Sequence, residues 1–256
     1  MRYDSPGLIR YGQIIYKLRD GLFPGTLLVL TVIFRPQLAG GSVRIDAVLD
    51  AIGILVVLTG IVYRATVIGY EYIRRGGKNR EVYADHLVTG GLFAHSRNPL
   101  YVGNLLLVIG LLLIFNNLWA YLIGLTFAAT SYRAIVANEE AYLRGRFGEE
   151  YEAYCRRTPR WIPRFNGIRA TLAEYEFNWS RVIVKDYGTA IGALVGILLY
   201  MVYERVAIPE YGMGAFQATV FGFGFGTLIA TYVAIHLLKK RRVLTQHGWG
   251  KGESSA

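Results

Sequence analysis

Long apolar runs alternate with polar breaks along this chain. Six runs stand out, at 22–38, 47–70, 100–115, 118–136, 187–203 and 215–238. Most approach the length of about 20 apolar residues that crosses a hydrocarbon core of about 30 Å. The first is interrupted by Arg35 and Pro36, so Arg35 would have to snorkel to an interface. Residues 1–20 are polar, carry four basic side chains and show no cleavable signal pattern. Leu8, Ile9, Ile14, Ile15 and Leu18 give this lead a loosely amphipathic character, which predicts that it lies along a membrane surface. Only Asn116 and Asn117 separate the third and fourth runs, which predicts a tight helical hairpin. The pattern as a whole predicts an all-α, multi-pass transmembrane helical bundle of about six spans.

The chain divides into 1–46, a lead and first span; 47–166, a core of spans two to four with a polar lid; and 167–256, an interfacial segment, two further spans and a basic tail. Composition supports the membrane reading, since 53% of the 256 residues are hydrophobic and only 18% are charged. The charged share of an ordinary soluble domain is about 25%. A formal net charge of +10 raises the question of nucleic acid. The basic residues, however, sit between the apolar runs, where they fit cytoplasmic loops, and no nucleic-acid partner is expected. With the N-terminus in the cytoplasm, 23 of the 28 lysines and arginines fall on that side. Both termini and both polar stretches described next then face the cytoplasm. The single cysteine, Cys155, excludes an internal disulfide and reads as a spectator thiol.

Small residues mark the helix contacts. Gly53 and Gly60 share a face of the second run. Gly188, Gly192 and Gly196 in the fifth, and Gly222 and Gly226 in the sixth, form GxxxG repeats. They predict close packing with one another or across a homo-oligomer.

Two polar stretches carry the candidate chemistry. The first is 89–103, TGGLFAHSRNPLYVG, at the mouth of the third run. Gly90 and Gly91 permit a tight turn close to a ligand, and Pro99 suits the first turn of a helix. The N–H groups of that helix start favour polar or negative ligand groups. His95, Arg97, Asn98 and Tyr101 ring it. Taken singly, Arg97 and His95 are more simply interface anchors and Asn98 a cap; their coincidence favours a site. The second stretch is 138–163. Glu139 and Glu140 follow closely on the fourth run, where carboxylates are costly unless paired. On a helix they point about 100° apart, so one faces the site and the other a structural partner. Glu140, Leu143, Phe147, Tyr151 and Tyr154 recur at helical spacing on one face. No metal-ligand set is read from the sequence.

SRNPLYVG, a helical hairpin, then NEEAYLRGRFGEEYEAYCRRTPRWIP resembles the isoprenylcysteine carboxyl methyltransferase family. The pattern is also similar to the related membrane phospholipid N-methyltransferases. It runs GxFxxxRHPxYxG, two spans, then EExxLxxxFGxxYxxYxxxxxRxxP, and it covers 89–163. Two positions depart from it: Asn98 stands where histidine is usual, and Leu92 replaces a frequent proline. The family core has four or five spans, so the last two runs here read as additions.

The resemblance implies S-adenosylmethionine as cofactor, in a pocket at the cytoplasmic end of the bundle. It also implies a lipophilic small-molecule or lipidated acceptor entering from the membrane lipids. Carried over by position, the cofactor-binding set is His95, Arg97, Asn98, Pro99, Tyr101, Gly103, Glu139, Glu140, Tyr151 and Tyr154, with Trp161 closing the lid. Glu140, Arg97 and Arg160 would act on the reacting groups, the arginines by pairing with a carboxylate. The acceptor stays open between a prenyl-cysteine-like carboxylate and a lipid amine. Two other readings remain: an NADPH-dependent membrane reductase of the sterol-reductase type, against which Glu139-Glu140 with FGxxYxxY argues, and a non-enzymatic membrane scaffold.

Overall fold

The structure is a computed structural model and describes residues 4–71, 82–241 and 244. Four cations of the expected 74–99 loop, Arg74, Arg75, Lys78 and Arg80, lie outside the described residues. Among those described, the chain forms seven α-helices, two single 3-10 turns and no strand. The helices are α1 (Pro6–Ile33), α2 (Val43–Tyr70), α3 (Pro99–Phe115), α4 (Leu118–Arg157), α5 (Ile168–Ala173), α6 (Trp179–Ala207) and α7 (Ala215–Lys240). Four of them, α2, α4, α6 and α7, are long and apolar enough to cross a membrane, and α3 is a shorter apolar helix of 17 residues. An all-helical, multi-pass arrangement agrees with the hydropathy pattern, but of the six expected spans four reach membrane length among the described residues, and α1, which holds the first run, is not one of them.

The lead and first run differ from expectation. They are one continuous helix, α1. Ser5 caps it by accepting the Leu8 N–H at 3.3 Å, and Pro6 occupies its first turn. Proline suits that position because its missing N–H would have no partner there. The helix ends at Ile33, so Arg35 and Pro36 lie beyond it. One side of the lead packs on α4, while Ile14 and Leu18 of its apolar set stay exposed at 58% and 54%. Ile15 and Tyr16 are core residues, and a Cβ at Gly12 would stand 2.0 Å from the Ala134 carbonyl oxygen.

The α2–α3 contact is close because both helices present glycine. A Cβ on Gly53 would meet the Gly110 carbonyl oxygen at 2.8 Å, and one on Gly60 the Gly103 carbonyl oxygen at 3.0 Å. Without a water-driven force between apolar helices, this backbone approach is what dispersion attraction can use. Asn116 turns the chain in the left-handed region (φ 39°), and Asn117 caps α4 by accepting the Trp119 and Ala120 N–H groups. The predicted two-residue hairpin is therefore present. Its asparagines also pin the preceding loop, donating to the Gln37 and Arg35 carbonyls at 2.6 and 2.9 Å.

α6 is joined to this core by a charge. Arg64 of α2, 1% exposed, donates both Nε and Nη2 to the Asp186 carboxylate and Nη1 to Asn104. A buried pair of this kind specifies which helices meet more than it stabilises them. The glycine repeats behave unevenly. Gly196 packs on Leu111 and Gly224 on Leu198, whereas Gly188, Gly192, Gly222 and Gly226 face open space within the chain.

Candidate active site

Helix α4 is 40 residues long and does not run straight. Gly148 has φ 50° and ψ −121°, which breaks it into a long helix and a short returning one. Only glycine adopts such a conformation without strain. The return is visible in one bond: Arg144 Nε donates to Glu152 Oε1 at 2.8 Å, although a straight helix would set these residues about 12 Å apart along its axis. The returning turns carry Tyr151, Tyr154 and Cys155 into a small buried cluster with Leu143 and Phe147. The helical face expected from their spacing is thus a lid folded inward.

The lid is fastened to the stretch before α3. The Tyr154 hydroxyl donates to the Phe93 carbonyl at 2.7 Å and Thr158 Oγ to the Ala94 carbonyl at 3.4 Å. Further on, the chains run alongside each other. The Arg97 N–H donates to the Pro159 carbonyl, the Asn98 side-chain amide to the Arg160 carbonyl and the Ser96 hydroxyl to the Trp161 carbonyl, all within 3.0 Å. The Arg164 N–H returns the pairing to the His95 carbonyl at 3.0 Å. The two polar stretches are one construction.

At its centre is Glu140, 3% exposed, surrounded by three guanidinium groups. Arg97 Nη1 lies 3.0 Å from Oε1, Arg160 Nε 3.1 Å from the same oxygen, and Arg144 Nη2 3.4 Å from Oε2. Arg160 also reaches Asp4 at 2.6 Å, so the start of the chain closes over the site. Burial disfavours the charged Arg97, but the adjacent Glu140, with Cys155 and Tyr151, outweighs it, and the Arg97 pKa rises. Arg97 Nε and Arg160 Nε are both buried without hydrogen-bond geometry to any acceptor. For Arg160 Nε, the closeness to Glu140 is an ion pair and not a hydrogen bond.

Glu139 points elsewhere, as expected of adjacent helical residues. It accepts from the Tyr101 hydroxyl at 2.7 Å. Arg19 of α1 lies near both and stacks over the Tyr16 ring at 3.9 Å. Arg97, Tyr101, Glu139, Glu140, Tyr151, Tyr154 and Arg160 are therefore gathered at one end of the bundle, with Asn98 and Pro99 setting the start of α3.

His95 and Gly103 are engaged differently. His95 Nδ1 lies 2.7 Å from the Arg164 carbonyl and Nε2 2.9 Å from Thr171 Oγ. A carbonyl only accepts, so Nδ1 carries the proton and Nε2 accepts from threonine. The ring is saturated by Arg164, ahead of α5, and Thr171, within it. Gly103 faces α2, where a Cβ would stand 2.4 Å from Arg64 Cγ. Gly90, read as a close approach to a ligand, instead admits the Tyr175 hydroxyl, 2.1 Å from where its Cβ would be. Arg144, Ser96, Arg19 and Asp4 are site residues the sequence reading missed. Arg144 was legible as the i+4 partner of Glu140; Asp4 and Arg19 carried no local signal.

A buried polar constellation at one end of a helical bundle with four membrane-length helices is the arrangement of an integral membrane protein. Residues 48–150, from α2 into α4, match the family described as phospholipid methyltransferase. Over 80 residues it is 35% identical to the protein-S-isoprenylcysteine O-methyltransferase of Schizosaccharomyces pombe, covering 31% of this chain and 34% of that protein. It is 36% identical over 83 residues to the cobalt-zinc-cadmium resistance protein CzcN of Cupriavidus metallidurans, covering 32% and 38%. It is 35% identical over 85 residues to the nickel-cobalt-cadmium resistance protein NccN of Alcaligenes xylosoxydans xylosoxydans, covering 33% and 39%. The chain thus spans well under half the length of these relatives. No solved structure matches it.

Proposed function

We propose that this chain is an integral membrane methyltransferase that moves a methyl group from S-adenosylmethionine to the carboxylate of a lipophilic acceptor. The observation that carries the reading is the contact of Arg97 with Glu140, which unites the two motif stretches at one buried site. The residues present fit the cofactor. The Nε donor of Arg97 is buried without a hydrogen-bond acceptor and suits a carboxylate. The Glu139 carboxylate, held by Tyr101, suits amino or hydroxyl groups.

When bound, S-adenosylmethionine supplies an electrophilic methyl on a sulfonium. The chain's part is alignment, exclusion of water and charge. Arg160 orients the acceptor carboxylate, and Arg97 holds Glu140 in place between the two stretches. Holding the reacting groups in line can contribute about 7–11 kcal/mol to such a displacement. The face of Tyr101 suits a cation, at about 0.5–2 kcal/mol. No base is needed for a carboxylate acceptor, which agrees with a site whose carboxylates are all paired.

An apolar groove of about 430 Å³ supports a lipophilic acceptor. It begins at Gly21, two residues beyond Arg19, and continues past Gly25 and Leu30 to Phe34 and Ile123. It leads along α1 away from the polar site toward the bundle's other end. The distribution of lysine and arginine supports a cytoplasmic orientation of the polar end. Calorimetry on the detergent-solubilised chain tests the cofactor. Saturable binding of S-adenosylmethionine or its demethylated product is expected, and the absence of both would overturn the proposal. Incubating membranes with methyl-labelled cofactor then identifies the acceptor.

A further inference from the structure

At the end of the bundle away from the polar site, three carboxylates meet. Asp46 and Asp50 lie one turn apart on the first turns of α2, and Glu204 lies on the last turns of α6. Oxygens of all three lie within 4.8 Å of one another. Their residues are 0%, 8% and 3% exposed. Asp46 is fully oriented: Oδ1 accepts from the Ala39 N–H at 2.9 Å and from Asn116 Nδ2 at 3.1 Å, and Oδ2 from the Tyr211 hydroxyl at 3.0 Å. The other two are not. Asp50 Oδ1 and Glu204 Oε1 are buried with no hydrogen-bond partner. Among the described residues no ion pair is formed by any of the three. The nearby cation, Arg205, lies over the Tyr211 and Phe221 rings at 5.3 and 5.7 Å.

Buried acceptors without donors are costly, and buried like charges more so. A chain that folds one carboxylate into fixed geometry and leaves two oxygens free beside it has prepared a place for a positive ligand. We propose that Asp46, Asp50 and Glu204 bind one hard divalent cation of the calcium class, joining the start of α2 to the end of α6. The all-oxygen donor set selects calcium, magnesium or manganese over softer metals. Oxygens all within 4.8 Å of one another are close enough for one ion to bridge at the calcium–oxygen bond length of about 2.3–2.6 Å. The Tyr211 hydroxyl and the hairpin residue Asn116 then act as positioning groups through Asp46, and the loop after α6 covers the site. This inference does not depend on the methyltransferase reading.

The test uses the full chain, purified in detergent and stripped with a chelator. Titration with calcium chloride by calorimetry is expected to show one ion per chain and to raise the unfolding temperature. Asp50→Asn and Glu204→Gln, each shown by circular dichroism to keep its helix content, are expected to weaken binding at least tenfold. If either variant fails to fold, manganese bound to the unaltered chain gives the decisive spectrum. A broadened electron paramagnetic resonance signal that calcium competes away supports the site. A free-ion signal at millimolar manganese, with no calcium heat, overturns it and leaves a proton-sharing cluster. Unchanged calcium affinity in both folded variants overturns it too.

Discussion

Arg97 Nη1 and Glu140 Oε1 lie 3.0 Å apart although 43 residues and a helical hairpin separate them in the chain. The Glu140 side chain is 5% exposed and that of Arg97 12%, and Glu140 is the common counter-ion of Arg97, Arg144 and Arg160. Removing it would leave three guanidinium groups facing one another. Glu140→Ala is therefore expected to destabilise the fold by about 3–5 kcal/mol, as breaking a buried ion pair does. Thermal unfolding in detergent measures this. Arg97→Lys keeps the charge but loses the planar fork, and is expected to retain more stability than Glu140→Ala while weakening cofactor binding. Equal stability in Glu140→Ala and the unaltered chain would mean the cluster carries no structural role.

The bond between Tyr101 and Glu139 permits a gentler change. Tyr101→Phe keeps the ring, including its packing on Tyr132 at 5.4 Å between centroids, and removes one hydrogen bond to a carboxylate. The expected cost in stability is about 1.5–3 kcal/mol. If Tyr101 and Glu139 form part of the cofactor wall, the dissociation constant for S-adenosylmethionine rises tenfold or more in calorimetry. An unchanged constant would remove the pair from that wall.

Gly148 is the hinge that makes the lid. Nothing lies within 4 Å of its Cβ position, so the obstacle to a side chain there is backbone conformation and not space. Gly148→Ala is expected to cost about 1–3 kcal/mol, the usual strain of a non-glycine residue in such a region. Because the hinge sets the Arg144–Glu152 bond and the seating of Tyr151, partial release of the lid should follow. Limited proteolysis after residue 148 reads it out. A cleavage pattern identical to that of the unaltered chain would show that the lid closes without the glycine.

What the sequence disclosed depended on whether the signal was local. The Asn116-Asn117 hairpin, the Gly53 and Gly60 contact face and the coming together of 89–103 with 138–163 all follow from spacing within one or two elements. The divergence of Glu139 and Glu140 follows from helix geometry alone. His95 and Gly103 were harder, because their partners, Thr171 and Arg64, belong to other elements and only tertiary structure brings them close. The packing of the lead on α4 carried no local signal for the same reason. Leu8, Ile9 and Ile14 gave it an amphipathic character fitting a membrane surface, whereas the partner of Gly12 is the backbone of Ala134, far along the chain. Asp46, Asp50 and Glu204 sit at span ends, where hydropathy alone treats a carboxylate as a boundary mark.

The groove along α1 offers the most discriminating change. Gly21 and Gly25 line it and have nothing within 4 Å of their Cβ positions. Gly25→Leu would place a branched side chain in a space of about 430 Å³. Glycine inside a helix is about 0.8–1 kcal/mol less favourable than alanine, and leucine is close to alanine, so the substitution is expected to preserve or raise stability. A loss of activity could then not be ascribed to unfolding. If the acceptor's apolar tail occupies this groove, its KM rises at least tenfold, while S-adenosylmethionine binds as before. A short acceptor that carries the same carboxylate without the tail should be methylated equally by both proteins. An unchanged KM for the long acceptor would place the tail elsewhere, since the filled groove could no longer hold it.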